Sequence, residues 1–484
     1  MGDIMKYFIG IDLGTSSCKG ILTDKAGNIL RTSAYEYDVC YPQDGWTEQN
    51  PEDFLKAAGK ILAELSEGVE NEVCGLSFGG QMHGLVILDE NDEVIRPCIL
   101  WNDGRTEKQT AYLNEVVGKE KLSALTGNIA FAGFTAPKIL WVKENEPENF
   151  AKIRKIMLPK DYLAYKLTGV FSTDYSDASG MLLLDVEHKC WSREMCEICS
   201  VGEEMLPKLY ESYEVTGKLL PEYGMPNCVV TAGAGDNAAA AVGTGTLREG
   251  RCNISLGTSG TIFIAQNAFS VDEKNALHSF AHSNGKWHLM GCILSAASAR
   301  KWWLEDILGS GDYAADEADV AAAEESNIIF LPYLSGERSP HNDVNARGAF
   351  IGLAANTTRA QMSRAVMEGV AFALCDCLEV AKAGGIAPTE STLCGGGAKS
   401  KIWRGIIADA LGIPVKILKT EQGPSFGGAI LAMVGAGEYV SVEEAADAIL
   451  ETAETVYPTE EGKARMNAKY EVFKKLYPAL KEVM

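Results

Sequence analysis

The sequence of 484 residues is short of positive charge and contains no long apolar run. Its 44 lysine and arginine residues are outnumbered by 66 aspartate and glutamate residues, which gives a formal net charge of −22. A field of that sign repels nucleic acids and anionic membranes, so neither is expected as a partner. No segment approaches the roughly 18 consecutive apolar residues of a membrane-spanning helix. With 46% hydrophobic and 23% charged residues, the composition is typical of a soluble globular protein.

Features of exported proteins are also missing. Met1 to Lys6 lack the basic start and the long apolar core of a secretory signal. The 13 cysteines are scattered and odd in number, unlike the disulfide framework of small secreted domains. Cys196 and Cys199 have the spacing of a redox or metal motif, but no second pair follows, and we assign them no chemistry. We expect a cytoplasmic protein with free thiols, and the sequence leaves a homodimer open.

The length of the chain exceeds what one hydrophobic core usually organises, and an internal repeat indicates how it is divided. The segment Leu-Gly-Thr-Ser occurs at residues 13–16 and again at 256–259, each time between two apolar runs. Both copies therefore predict a strand, a tight turn and a second strand. We predict two copies of one domain, over residues 1–246 and 247–484, with the junction inside Gly243 to Gly250.

A second pair of segments supports this duplication. Val229 to Thr231 leads through Gly233-Ala234-Gly235 into a helical pattern, and Thr392 to Cys394 leads through three glycines into another. Strand, glycine loop and helix in that order predict a parallel α/β topology. A ligand cleft is expected between the two halves.

Phosphate groups need backbone N–H donors, little side-chain bulk and a cation, and the first hairpin offers all three. Its turn carries hydroxyls in Thr15, Ser16 and Ser17, and Lys19 could add positive charge. The carboxylate of Asp12 could hold a hydrated Mg²⁺ against the phosphates. The second copy has Ser255 at the position of Asp12, so only the first could anchor a metal. For one hairpin alone, an ordinary turn would be the simpler interpretation.

Two better-known nucleotide motifs fit poorly. Gly395 to Ser400 lacks the glycine before lysine that a P-loop requires. Gly233 to Ala238 satisfies the dinucleotide fingerprint, but Ser255 stands where that motif needs an acidic residue. An NAD-dependent oxidoreductase is therefore only a distant alternative.

Asp236 is the best-placed carboxylate to accept the proton of an alcohol that attacks a γ-phosphate. It follows a glycine loop and begins a predicted helix, whose dipole favours the charged form of the carboxylate. The alternative is that Asp236 is an ordinary helix N-cap.

Several motifs carry a resemblance that extends from Tyr7 to about Tyr477. They are Gly10-Ile11-Asp12-Leu13-Gly14-Thr15-Ser16, Gln81-Met82-His83-Gly84, Trp101-Asn102-Asp103-Gly104-Arg105, Phe134-Thr135-Ala136-Pro137-Lys138 with Trp141, Asp236-Asn237-Ala238-Ala239, Leu256-Gly257-Thr258-Ser259-Gly260 and Ser335-Gly336-Glu337-Arg338. With these motifs the chain resembles the FGGY carbohydrate kinases. The resemblance implies an α/β fold of two duplicated actin-like, ribonuclease H-like domains. It also implies ATP and Mg²⁺ in the cleft, with Asp236 as general base.

The same resemblance assigns the remaining site residues. It implies metal binding by Asp12, through water, and by Asp236. The expected nucleotide site comprises Thr15, Ser16, Ser17, Lys19, Gly257, Thr258, Gly396, Gly397 and Lys401. Glycerol kinases of the family carry asparagine where Lys401 stands.

The resemblance also indicates the substrate. Met82-His83 matches the sugar-contacting pair of pentulose kinases, which predicts a sugar site of Met82, His83, Trp101, Asp236 and Asn237, with D-xylulose phosphorylated at O5. Without the resemblance, Met82 would be interpreted as core filler and His83 as a structural histidine. His278 and His282 could share a helical face, but packing is a better interpretation than a metal site. A kinase for another pentulose, polyol or sugar acid and a non-catalytic actin-like protein remain alternatives.

Overall fold

The computed structural model of the protein describes residues 5–420 and 422–484. Met1 to Ile4, on which part of the expectation about export rests, lie outside the described residues. All 13 cysteines fall inside them, and none of these is joined in a disulfide. Among the described helices, none combines the length and the apolar character needed to cross a membrane.

The chain contains both long strands and short ones of two or three residues. In the first half the strands are β1 Tyr7–Leu13, β2 Ser17–Asp24, β3 Ile29–Glu36, β4 Glu48–Gln49, β5 Val73–Gly80, β6 Val86–Leu88, β7 Cys98–Ile99, β8 Lys155–Met157, β9 Ser172–Asp174, β10 Leu184–Asp185, β11 Cys190–Trp191, β12 Lys208–Tyr210, β13 Val215–Lys218, β14 Val229–Thr231 and β15 Ala234–Gly235. In the second half they are β16 Arg251–Leu256, β17 Gly260–Gln266, β18 His278–Ala281, β19 Trp287–Ile293, β20 Ile329–Leu331, β21 Ala349–Ile351, β22 Glu390–Cys394, β23 Val415–Leu418 and β24 Thr452–Val456.

Helices occupy the connections between these strands. The α-helices are α1 Pro51–Ser66, α2 Glu107–Ala111, α3 Lys119–Thr126, α4 Thr135–Asn145, α5 Pro147–Lys152, α6 Pro159–Thr168, α7 Tyr175–Ala178, α8 Arg193–Cys199, α9 Asp236–Gly243, α10 Ala297–Lys301, α11 Tyr313–Ala322, α12 Arg359–Ala383, α13 Lys401–Leu411, α14 Gly423–Gly435, α15 Val442–Ile449 and α16 Glu460–Leu480. Two π-helical segments, Tyr112–Gly118 and Trp302–Ile307, extend α2 and α10. Short 3₁₀ turns occur at Ser179–Met181, Glu203–Met205, Pro221–Tyr223, Gly396–Lys399 and Lys481–Val483.

Two seven-stranded sheets share one topology, as the internal repeat predicts. The first has the order β13-β14-β5-β1-β2-β3, with β15 added beside β5, and the second has the order β18-β19-β17-β16-β22-β23-β24. In each, a run of antiparallel strands, three in the first sheet and four in the second, is followed across the sheet by parallel strands and then by one antiparallel edge strand. The two Leu-Gly-Thr-Ser segments are the turns of equivalent hairpins, β1–β2 and β16–β17. The duplicated α/β fold is therefore confirmed, whereas the division of the chain at residues 246 and 247 stays a prediction.

Local sequence signals explain where several helices begin and end. The side chain of Asn50 caps α1 by accepting from the N–H of Glu52, with proline at the first helical position. Helix α13 begins after the cap Ser400 and ends at Gly412, whose φ of +70° is left-handed.

Three local predictions are corrected by the structure. Ala234 and Gly235 are not loop but a short strand, because β5 offers them a free parallel edge at Gly79 and Gly80. His278 lies in strand β18 rather than on a helix, and its ring stacks on Phe280 at 5.4 Å. Asp236 is the first residue of α9 and Gly235 is its cap, so the alternative of an N-cap aspartate is wrong.

Helix α14 comes from the second half of the chain and packs on the first sheet, against β1, β5 and α9. Two glycines permit this close contact. A Cβ on Gly10 would lie 1.9 Å from the carbonyl oxygen of Ser425, and one on Gly427 would lie 1.8 Å from that of Ala239. The two halves therefore share a continuous apolar core around α9 and α14.

Candidate active site

The cleft between the two sheets contains three adjoining cavities. The outer cavity, of about 790 Å³, is lined by Thr258, Ser298, Trp302, Gly396 and Gly397, among others. The inner cavity, of about 290 Å³, is lined by Met82, His83, Trp101, Phe134, Asp236, Asn237 and Arg338, among others. The hinge cavity, of about 460 Å³, shares Asp236 with the inner cavity and Gly396 with the outer one. A ligand that extends through the cleft can therefore contact residues of both halves.

The turn 257–259 separates the outer cavity from the inner one. Thr258 lines the outer cavity, whereas Gly257 and Ser259 line the inner one. The carbonyl of Gly257 accepts from the N–H of Ala297 at 2.8 Å, and that of Thr258 accepts from the N–H of Ala296 at 3.0 Å. Because the C=O and N–H of a trans peptide point in opposite directions, the N–H groups of Thr258 and Ser259 are turned away from the start of α10. Such N–H groups can bind phosphate oxygens.

The first hairpin turn is organised in the same way. The carbonyl of Gly14 accepts from the hydroxyl of Tyr37 at 2.5 Å, and the carbonyl of Thr15 accepts from the amide of Gln49 at 2.6 Å. The N–H groups of Thr15 and Ser16 in these peptides therefore point to the opposite side. The Thr15 hydroxyl accepts from the indole N–H of Trp101 at 2.9 Å, which connects this turn to the inner cavity.

Parallel strand pairing brings Asp12 and Asp236 to the same edge of the first sheet. Asp12 in β1 and Ala234 in β15 both lie opposite Gly79 of the intervening strand β5. Since neighbouring strands are about 4.8 Å apart, Asp12 lies only about 10 Å across the sheet from Ala234, two residues before Asp236. Both carboxylates are half-buried.

Burial changes the protonation of these two carboxylates. It raises the pKa of Asp236 to about 6, against the opposing effect of hydrogen bonds from the N–H and side chain of Asn237. Burial and, to a smaller extent, the nearby charge of Asp236 together raise the pKa of Asp12 to about 7, against the lowering effect of Lys19. A base with a pKa just below neutrality is suited to accept a proton at neutral pH. The negative charges of Asp12 and Asp236 repel each other, and a cation bound near both would reduce that repulsion.

His83 has a fixed tautomer and presents an acceptor to the inner cavity. Its Nδ1 lies 2.9 Å from the carbonyl oxygen of Gly180, which can only accept, so Nδ1 carries the hydrogen. The ring stacks on Phe134 at 4.7 Å, and burial lowers its pKa well below the usual value. The imidazole is therefore neutral, and Nε2 is available to accept a hydrogen bond from a ligand hydroxyl.

The backbone of His83 is supported by Lys138. His83 has a φ of +71°, a strained value for a non-glycine residue. Its carbonyl accepts from Lys138 Nζ at 2.8 Å and from the Thr135 hydroxyl at 3.1 Å. Burial lowers the pKa of Lys138 to about 7. These contacts over-determine the position of His83 at the wall of the cavity.

A fully buried polar network lies behind Asp236. Lys160 Nζ is 2.7 Å from an oxygen of Asp161, 3.2 Å from one of Asp174 and 3.7 Å from one of Asp177. Asp174 accepts from the Ser176 hydroxyl at 2.5 Å, and this hydroxyl accepts from the N–H of Gly235 at 3.1 Å. The network therefore fixes the backbone immediately before Asp236.

Most, but not all, of the residues predicted from the sequence meet in the cleft. Met82, His83, Trp101, Asp236 and Asn237 line the inner cavity together with Gly257. Thr258, Gly396 and Gly397 line the outer cavity. Lys401 is exposed on the first turn of α13, and Ser16 and Lys19 are exposed on the first hairpin, while Ser17 is half-buried. These last four, like Thr15 and Asp12, line none of the three cavities, and the roles of all the predicted site residues stay predictions.

The sequence reasoning gave no role to several residues of the cleft. Arg338 was quoted in a motif, yet its position in the inner cavity was not predicted. The segment 295–302, which supplies Ser298 and Trp302 to the outer cavity, was not considered at all. A signal for it was available in the sequence, because serines and a tryptophan follow shortly after the apolar run of β19. Helix α10 begins within this segment.

The fold and the site together define a phosphotransferase with two actin-like halves. Residues 7–243 match the N-terminal domain of the FGGY family of carbohydrate kinases, and residues 252–436 match its C-terminal domain. The chain is 40% identical over 486 residues to a xylulose kinase of Escherichia coli strain K12. The alignment covers 99% of this chain and 100% of that protein. This chain therefore belongs to the FGGY family of carbohydrate kinases and is an ATP-dependent sugar kinase.

Solved structures agree with that assignment. A xyloylose kinase from Brucella ovis has a TM-score of 0.94 and 39% identity, covering 99% of this chain and 100% of that one. A gluconate kinase from Lactobacillus acidophilus also has a TM-score of 0.94, with 26% identity and coverage of 98% of both chains. The actin-like fold predicted from the motifs is thus confirmed over almost the full length.

Proposed function

We propose that this protein transfers the γ-phosphate of ATP to O5 of D-xylulose, with Asp236 as general base. The observation that carries the proposal is the turn 257–259, which has the outer cavity on one side and the inner cavity with Asp236 on the other. ATP held along the outer cavity by Thr258, Gly396 and Gly397 would present its terminal phosphate at this turn. A sugar in the inner cavity would then attack in line.

The inner cavity supplies the groups that this reaction needs. His83 Nε2 and the Asp236 carboxylate accept from sugar hydroxyls, and Asn237 keeps the carboxylate oriented through its N–H at 2.7 Å. Met82 packs on Gly235 and makes one wall apolar. A stack of Phe134 and His83 forms another wall, so the bound hydroxyl is shielded from water, which would otherwise compete as acceptor.

The donor set of the cleft also fits Mg²⁺. This ion prefers oxygen ligands and keeps several waters, so it takes one or two carboxylates with the phosphates rather than a protein cage. Asp12, through water, and Asp236 would hold it, and a cation there would offset the burial and the nearby charge of Asp236 that raise the pKa of Asp12. When bound, the ion would supply charge neutralisation to the phosphates.

The substrate is inferred from relatives that include xylulose kinases of Escherichia coli and Klebsiella pneumoniae, and from the pair Met82-His83. Another pentulose, a polyol or a sugar acid is the alternative, since a gluconate kinase shares the fold. The cytoplasmic location, the homodimer and the lack of a nucleic-acid partner expected from the sequence stay predictions.

A coupled assay of ADP release separates these substrates. D-Xylulose, D-ribulose, glycerol and gluconate are compared with the same enzyme, and ³¹P NMR locates the phosphate on the product. We expect D-xylulose to have the highest kcat/KM and a phosphate on C5. A higher kcat/KM for gluconate or glycerol would refute the proposed substrate.

The role of Asp236 is tested by Asp236→Asn. The asparagine keeps the oxygen that accepts from Asn237 but cannot take a proton, so kcat should fall about 10²- to 10⁴-fold without unfolding. Asp44→Asn, at an exposed position away from the cavities, is the matched control and should keep wild-type turnover. Wild-type kcat in a folded Asp236→Asn protein would refute the general-base assignment.

A further inference from the structure

Arg338 brings a positive charge from the second half of the chain into the inner cavity. Its backbone is held by Glu337, whose buried carboxylate accepts from the N–H of Leu294 at 2.9 Å and from that of Arg338 at 2.8 Å. The Arg338 side chain is half-buried, and its guanidinium makes no hydrogen bond or ion pair with any other residue in the described part of the chain. Five N–H donors are therefore available to a ligand.

Most other polar side chains of the inner cavity accept or can act in both ways. His83 Nε2 and the Asp236 carboxylate accept, and the hydroxyls of Ser255, Ser259 and Thr261 do both. The indole N–H of Trp101 can only donate, but it already donates to Thr15, and the amide of Asn237 already donates to Asp236. Arg338 is thus the only cation among the residues that line this cavity, and its donors are not used within the described part of the chain.

The chemistry of a 2-ketopentose supplies a matching group, an argument that rests on the proposed function. Ring closure of such a sugar joins O5 to C2, so a molecule that attacks through O5 must be in the open-chain form with a free ketone. The ketone oxygen is the only oxygen of this form that cannot donate. We propose that Arg338 donates to the C2 carbonyl oxygen and so selects the open-chain ketose.

The same contact would disfavour the reduced sugar. In a pentitol, the C2 oxygen can still accept from the guanidinium, but its hydrogen needs an acceptor that a guanidinium does not offer, and the carbon is no longer planar. A site built around a donor–acceptor match discriminates more strongly than one built around shape alone. Arg338 is therefore a specificity-determining residue of the inner cavity.

The test compares Arg338→Met with the wild type on D-xylulose and on xylitol. A hydrogen bond to a charged group contributes enough that its loss should lower kcat/KM for D-xylulose by about 10- to 100-fold. The value for xylitol should change by less than about threefold, so the preference for the ketose should fall about 10-fold or more. D-Xylulose binding without ATP, followed by the fluorescence of Trp101 and the other tryptophans, should weaken by the same factor.

Other outcomes would overturn the proposal. Equal losses for both sugars would indicate that Arg338 acts on the phosphoryl group, and no loss would exclude a substrate contact. Arg347→Gln, an exposed residue of the same loop, is the control and should leave both sugars unaffected. If Arg338→Met does not fold, Arg338→Lys, which retains a donor, should show a smaller loss in the same direction. A wild-type enzyme that does not phosphorylate D-xylulose would refute the proposed function itself, whereas an unchanged sugar preference in an active Arg338 variant would refute only this inference.

Discussion

A single methyl group added at Gly180 should weaken sugar binding without touching the nucleotide. A Cβ on Gly180 would lie 2.2 Å from His83 Nδ1 and 2.3 Å from Cε1 of the same ring. Gly180 has an ordinary 3₁₀ backbone, so Gly180→Ala places no strain on the chain itself. The imidazole must retreat by at least about 1 Å to reach a normal contact distance.

That displacement has two energetic consequences. The 2.9 Å hydrogen bond from Nδ1 to the Gly180 carbonyl is broken, and Nε2 moves away from the ligand hydroxyl that it would accept from. The bond to Gly180 is lost with and without sugar, so only the contact with the ligand counts toward binding, and one neutral hydrogen bond contributes about 0.5–1.5 kcal/mol. At about 1.4 kcal/mol for each factor of ten, KM for the sugar should rise about 2- to 12-fold.

Steady-state kinetics with each substrate varied in turn measure this effect. KM for ATP should stay within about twofold, because His83 lines the inner cavity and not the outer one. Gly59→Ala is the matched control, since a Cβ at that helical position meets no atom within 4 Å. In a double-mutant cycle, Gly180→Ala should add little to His83→Ala, because both act on the same contact. An unchanged KM for the sugar, or a change in that for ATP alone, would refute the assignment of His83.

Three further changes test the base, the buried network and the helix that joins the two halves. Asp236 must be deprotonated to act, and its pKa is raised to about 6. We therefore expect kcat/KM to be constant above that pH and log(kcat/KM) to fall with a slope of about one below it. A flat profile down to pH 4.5 would contradict this role. Lys160→Met leaves three buried carboxylates without their cation and should lower the free energy of unfolding by about 3–5 kcal/mol in urea titrations, whereas the exposed Lys152→Met should not. Gly427→Ala forces a methyl against the Ala239 carbonyl and should cost at least about 1–3 kcal/mol by the same measurement, which a neutral result would disprove.

The sequence allowed the hairpins and their repeat to be predicted, because turn chemistry and apolar runs are local. The Leu-Gly-Thr-Ser segments mark both hairpin turns, and Ser400 and Gly412 mark the ends of α13. The pairing of Asp12 with Asp236 at one site was implied by the family resemblance. Strand β15 was not predicted, because Ala234 and Gly235 both have low strand propensity. They form a strand only because β5 has a free edge beside them.

Long-range contacts were beyond sequence reasoning. The tautomer of His83 depends on Gly180, which is 97 residues away, and the inner cavity is completed by Arg338 from the other half of the chain. Neither partner has a local pattern that indicates the contact. A single sequence gives the residue types of such a site, whereas their orientation follows only from tertiary packing.

The crossing of α14 has a consequence for how this duplicated chain can be divided. Residues 423–435 fill the groove above β1 and β5, so a fragment that ends at residue 246 would leave Gly10 and Gly75 open to water, with an uncovered apolar layer around them. A fragment that begins at residue 247 would carry the same helix with no sheet to cover. Although the chain arose as two similar units, neither now contains the whole of its own interior, and the protein must be expressed and unfolded as one piece.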